Sequence, residues 1–173
     1  GEELLACAQA GVPVEVVPGV TAAVAASAAA GIPLTHRGLA RSFAVVTAST
    51  ADGSEPDWAA LARAADTLVV LMGAARLPEV CRALVAAGRP ADEPAAVVEA
   101  ATTPAERTVV GTLATLPDLA RAVRLGAPAT LVVGAVVALA GEVAGLRAQA
   151  SRSGSSSTSE PIVGPSQGSS SGR

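Results

Sequence analysis

The chain has 173 residues, half of them hydrophobic, with 12 Lys and Arg against 15 Asp and Glu and a net charge of −3. One Phe, one Trp and no Tyr supply no aromatic platforms for bases, and no Lys/Arg cluster tracks a phosphate backbone, so nucleic-acid binding is not expected. Two Cys without C-x-x-C spacing and a single His argue against a metal site, and the longest apolar stretch, residues 130–140, is too short to span a bilayer.

The chain opens on Gly1-Glu2-Glu3 and runs at once into helical sequence, with nothing resembling a signal peptide or a transmembrane start. That is the pattern expected of the C-terminal part of a longer cytoplasmic protein. Residues 2–10 read as a short helix closed by Gly11. Residues 13–17 are β-branched and read as a strand. The strand meets Pro18-Gly19, which sets a sharp turn, and Thr21 then stands where a helix N-cap belongs. The helix predicted over 22–30 is nearly all Ala, so its backbone can approach a neighbour or a ligand closely. Gly31 closes it and Pro33 prevents a restart. A strand, a tight turn and a small-residue helix start together resemble the ligand edge of an α/β protein. Residues 35–41 are polar and loop-like, and a unit boundary is expected there.

A second unit alternates strands and helices. Strands are predicted over 43–49, 67–72, 95–101, 107–113 and 129–139. Helices are predicted over 58–65 with Asp57 as cap, over 77–87 closed by Gly88, and over 117–125. This alternation indicates an α/β sheet with helices on its faces. The short Thr102-Thr103-Pro104 connection predicts an antiparallel pair, so the sheet should be mixed. Cys7 and Cys81 fall on predicted helices and read as buried thiols. From residue 149 the composition turns to Ser and Gly, and residues 151–173 are expected to form a disordered tail.

Several stretches, taken in order, resemble the S-adenosylmethionine (SAM)-dependent tetrapyrrole methylases. The first is Val14-Glu15-Val16-Val17-Pro18-Gly19-Val20-Thr21-Ala22-Ala23, followed by Gly31-Ile32-Pro33-Leu34-Thr35-His36-Arg37-Gly38. Then come Ser42-Phe43-Ala44-Val45-Val46-Thr47, Asp57-Trp58, and Asp66-Thr67-Leu68-Val69-Val70-Leu71-Met72-Gly73. The last two are Ala101-Thr102-Thr103-Pro104-Ala105-Glu106-Arg107-Thr108 and Pro128-Ala129-Thr130-Leu131-Val132-Val133-Gly134. Within the family the match is to the uroporphyrinogen-III C-methyltransferase branch, over residues 1–147.

The resemblance implies a tetrapyrrole-methylase-like α/β fold. Residues 1–37 would be the end of the N-terminal domain and the interdomain linker, 38–147 the C-terminal mixed-sheet domain, and 148–173 the tail. The implied activity is methyl transfer from SAM to C2 and C7 of uroporphyrinogen III, giving precorrin-2 for sirohaem or cobalamin synthesis. The implied assembly is a homodimer, with no metal, nucleic-acid or membrane partner. The alternatives are a later-pathway precorrin methyltransferase and a truncated, non-catalytic remnant of the fold.

The resemblance also implies site residues, each with a plainer reading beside it. Thr21 and Ala22 match cofactor contacts; Thr21 is equally a helix cap. Met72 matches a position at the cofactor and substrate cleft, with catalytic and cofactor-binding roles; a core Met is the plainer reading. Ala101 matches a cofactor-contacting position, or simply packs at a strand end. Glu2 matches a glutamate near the macrocycle, where a carboxylate can take the proton that leaves carbon; it is also a helix-start Glu favoured by the macrodipole. His36 and Arg37 match a loop facing the substrate carboxylates, or are ordinary solvated loop residues. Arg107 suits an acidic group, with a solvated strand-start Arg as the plainer reading.

Overall fold

A computed structural model describes residues 1–50 and 53–154. The apolar runs pair into one five-stranded sheet. Its strands are β1 (Phe43–Thr47), β2 (Thr67–Leu71), β3 (Pro94–Glu99), β4 (Arg107–Thr112) and β5 (Ala129–Val133), in the order β1-β2-β5-β3-β4. β1 and β2 are parallel; every other neighbouring pair is antiparallel. The mixed sheet and the β3–β4 pair match the expectation. β5, the last strand in the chain, occupies the centre. Val132 stands opposite Val69 on one side and Ala96 on the other. Such a strand is covered on both faces, which is why its sequence is continuously apolar rather than alternating.

Two apolar layers flank the sheet. On one face lie α3 (Trp58–Ala64), α4 (Leu77–Ala86) and α5 (Leu116–Ala122). Leu77, Val80, Cys81, Leu84 and Leu116 there meet Leu68, Val70, Val97, Leu131 and Val133. On the other face, α2 (Ala22–Ala29) and the segment after β5 pack through Ile32, Val136, Val137 and Ala140 onto Ala96 and Val132. Asp57 caps α3 by accepting from the Ala60 amide at 2.9 Å. No helix among the described residues is long and apolar enough to cross a membrane.

Four expectations are corrected. Residues 13–17 join no ladder, and Val14, Val16 and Val17 stand exposed. A strand is held by its neighbours, and no described strand lies beside this segment. The strand expected over 129–139 stops at Val133. Gly134 takes φ +143°, and a Cβ there would lie 2.9 Å from the Asp66 carbonyl oxygen. The chain bends at that glycine into a 3₁₀ turn, Ala135–Ala138, and then into α6 (Leu139–Gly154). α6 was not anticipated, and its backbone carries residues 148–154 of the expected tail; residues 155–173 of that tail lie outside the described residues. Finally, Cys81 is buried as read, and burial pushes its thiol up to about 11, but Cys7 is only half-buried because α1 (Glu2–Gln9) buries none of its residues.

Candidate functional site

β2 and β3 run in the same direction on either side of β5. Their C-terminal ends therefore flank the start of β5, and a cleft of about 890 Å³ opens at that edge. Its floor carries Leu71, Val98 and Thr130; its walls include Met72, Ala100, Ala101 and the Ala127-Pro128-Ala129 segment; Ala22 and Ala26 of α2 close one side. The edge beyond the carboxyl ends of strands is where open α/β sheets receive ligands.

The sequence fits this edge locally. Thr21 is the N-cap of α2, and its hydroxyl accepts from the Ala23 amide at 3.3 Å. Ala22 and Ala26 are too small to fill the space beside them. Met72 adopts φ +54° and Ala100 φ +47°, with Thr102 at +65° nearby. Left-handed backbone is disfavoured for side chains bearing Cβ, and such residues gather where a ligand site dictates the turn. At Met72 the turn throws the side chain out of the sheet: it is 61% exposed, so the core reading does not hold.

Ion pairs brace both walls. Arg76, just past Met72, donates to the Ala48 carbonyl at 3.1 Å and pairs with Glu55. That guanidinium holds the Glu55 carboxyl below its ordinary range, helped by the Trp58 indole N–H. On the far wall, the Gly126 amide donates to Glu99 Oε1 at 2.8 Å and Arg107 Nε donates to Glu99 Oε2 at 2.6 Å. The Gly126 bond first, and then Arg107, lower the Glu99 carboxyl. Arg107 also donates to the carbonyls of Val123 and Arg124 at 2.9 and 3.3 Å. It is thus a clamp between β3, β4 and the approach to β5; its side chain stays half exposed, as the solvated reading has it, and the acidic group it holds is Glu99.

The structure brings Ala22, Met72 and Ala101 together on this cleft, with Thr21 at its rim through the helix cap. It does not bring Glu2, His36 or Arg37 there. Glu2 is exposed at the start of α1. His36 and Arg37 lie on an exposed turn closed by paired His36–Ala40 backbone bonds of 2.9 Å. Ala100, Thr130 and Ser49 also line the cleft and were missed. Ala100 carries no signal in its residue type; only its φ marks it. Thr130 was hidden in an apolar strand, although a lone hydroxyl amid such a run was a detectable irregularity.

No charged residue is part of the cleft lining. Among the described residues no three His, Cys, Asp or Glu gather to hold a metal ion. This edge therefore suits binding and orientation of a neutral, flat group rather than proton transfer from its own walls.

Comparison with known proteins decides the family. The family model for tetrapyrrole (corrin/porphyrin) methylases matches residues 1–117. The chain belongs to the tetrapyrrole methylases. Among curated members, the siroheme synthase of Chromobacterium violaceum is 49% identical over 148 residues, which are 85% of this chain and 32% of that protein. Among solved methylases, a Thermus thermophilus uroporphyrin-III C-methyltransferase complexed with S-adenosylhomocysteine shares 43% identity at a TM-score of 0.70, covering 80% of this chain and 60% of that one. A cobalt precorrin-4 methyltransferase shares 29% identity at a TM-score of 0.71, covering 79% of this chain and 58% of that one. The methylase chain described here thus spans about a third of the curated relative and three-fifths of these solved ones.

Proposed function

We propose that this chain is the C-terminal part of a uroporphyrinogen-III C-methyltransferase, which methylates C2 and C7 of its substrate to give precorrin-2 for sirohaem synthesis. The observation that carries the reading is the neutral cleft at the ends of β2 and β3, in a chain of methylase family and fold. SAM fits the donor set present. Small residues leave room for an adenosyl group, and the capped start of α2 offers backbone N–H groups to a polar edge. Ala22, Ala101 and the backbone around Met72 would hold the cofactor, with Thr21 fixing the helix start. Bound SAM would supply an electrophilic methyl group.

The chain's own residues then act by placement. The braced walls hold Met72 and the 127–129 segment in position, so the reacting partners meet in one orientation. Glu2 is proposed as the base for the departing proton, and His36 and Arg37 as partners of substrate carboxylates. All three reach that role only against parts of the protein outside this chain. A homodimeric, cytoplasmic enzyme completes the proposal.

The test is methyl transfer by the protein expressed from its complete coding sequence, given uroporphyrinogen III and methyl-labelled SAM without oxygen. Two labelled methyls in the product mass support the reading. The likeness to a cobalt precorrin-4 methyltransferase favours a second reading, a later precorrin substrate. Cofactor binding without transfer to uroporphyrinogen III would select it, and no cofactor binding would point to a remnant.

A further inference from the structure

Thr130 is out of place in its surroundings. It lies on the central strand and is only 5% exposed. Leu71 and Val98 stand directly opposite it on the two flanking strands, so the three share one sheet face. All three form the cleft floor, with Ala22 and Ala26 of α2 beside them. The floor is otherwise aliphatic. Two other hydroxyls are buried on this side: Ser27, which donates to the Ala23 carbonyl at 2.9 Å, and Thr67, at the far end of β2, which is sealed away from the cleft. Thr103, on the cleft wall, donates to the Ala100 carbonyl at 2.7 Å and accepts from the Ala105 amide at 3.2 Å. The Thr130 hydroxyl has no hydrogen-bond partner among the described residues. It is also absent from the sealed, unsatisfied polar atoms, which are Thr67 Oγ1, Arg89 Nε and Glu93 Oε2. Its oxygen therefore keeps some access to the cleft.

Val would fill the same volume, suit a buried strand better and leave no polar atom to satisfy. Unlike Thr67, which is sealed and unpartnered, Thr130 opens onto the cleft, where a bound group can take up its hydroxyl. The charge-free lining selects what that is. The carboxylate and ammonium of an amino acid, or the carboxylates of a macrocycle, would enter an apolar floor without a counter-ion. A nucleoside is neutral, flat and edged with donors and acceptors.

We propose that Thr130 is the specificity-determining contact for the adenosyl half of the cofactor, its hydroxyl hydrogen-bonding the nucleoside across the cleft floor. The proposal rests on the SAM reading given above. The aliphatic neighbours supply non-directional contact, and Thr130 fixes how the nucleoside is turned.

Calorimetric titration of the protein from its complete coding sequence tests this, with two probes. One is S-adenosylhomocysteine; the other is 5′-methylthioadenosine, which lacks the amino-acid half. In Thr130→Val both affinities should fall about tenfold, the loss of one well-placed hydrogen bond. Thr130→Ser should bind within about threefold of wild type on the same ground. The melting temperature of Thr130→Val should hold or rise, which separates ligand contact from a structural role. Unchanged binding in Thr130→Val overturns the proposal. So does a loss confined to S-adenosylhomocysteine, which would assign the hydroxyl to the amino-acid half. If the wild-type protein binds neither probe, the SAM reading falls, and this proposal with it.

Discussion

Residues 12–20 and the strand β5 are built from the same kinds of residue, and they behave oppositely. The first segment holds five valines, and Val17 and Val20 are 80% and 79% exposed. β5 holds two valines and a leucine, all buried. Apolar, β-branched sequence therefore does not by itself make a strand. It makes a segment that needs neighbours on both sides, and β5 has β2 and β3 while residues 12–20 have none among the described residues.

A charge placed in each region breaks the comparison most sharply. Val132→Asp puts an unpaired carboxylate between Val69 and Ala96 and should cost more than about 4 kcal/mol, enough to unfold a marginal domain. Val17→Asp should change stability by less than about 0.5 kcal/mol. Chemical denaturation followed by circular dichroism reads both. Truncation gives the next largest contrast. Leu84→Ala empties a fully buried site under the sheet and should cost about 3 kcal/mol, whereas Leu5→Ala on α1 should stay within about 0.5 kcal/mol. Equal losses in either pair would show that the N-terminal segment packs more than its exposure indicates.

Backbone strain sharpens the contrast within the sheet. Ala100→Val forces a β-branched residue to hold φ +47° and should lose about 2 kcal/mol, while Ala100→Gly should gain about 0.5 kcal/mol. The smallest effect belongs to Glu99. Its carboxyl is held below the ordinary carboxylate value of about 4.3 by the Gly126 amide and then by Arg107. A lowered native pKa means that its contribution is complete above that ordinary value. It is lost as pH falls through the depressed native value. Glu99→Gln should therefore flatten the acid limb of a stability–pH curve and leave its neutral-pH shape unchanged.

Much of this fold was legible because patterns reported local facts that the structure kept. Thr21 and Asp57 read as caps and are caps; Gly11 and Gly31 read as helix ends and sit at positive φ. The residues 102–104 turn read as the joint of an antiparallel pair, and β3 pairs β4. What failed depended on distant contacts. The end of β5 is decided by the Asp66 carbonyl beneath Gly134, far away in sequence. The lost strand at 13–17 depends on a missing neighbour. At the cleft, motif order marked Ala22, Met72 and Ala101. It could not mark Ala100, whose importance is a dihedral angle, or the Glu99–Arg107 clamp, whose partners come from three separate elements.

The central place of the last strand also orders events during synthesis. β1 and β2 can associate early, and β3 and β4 can form their hairpin once residue 112 has emerged, but within the sheet neither pair is hydrogen-bonded to the other except through β5. Until residues 129–133 leave the ribosome, the nascent chain carries two separate two-stranded ribbons, each with an open apolar edge. Such edges invite association with other chains. The completed sheet is thus sealed by insertion of a single strand of five residues between two waiting halves.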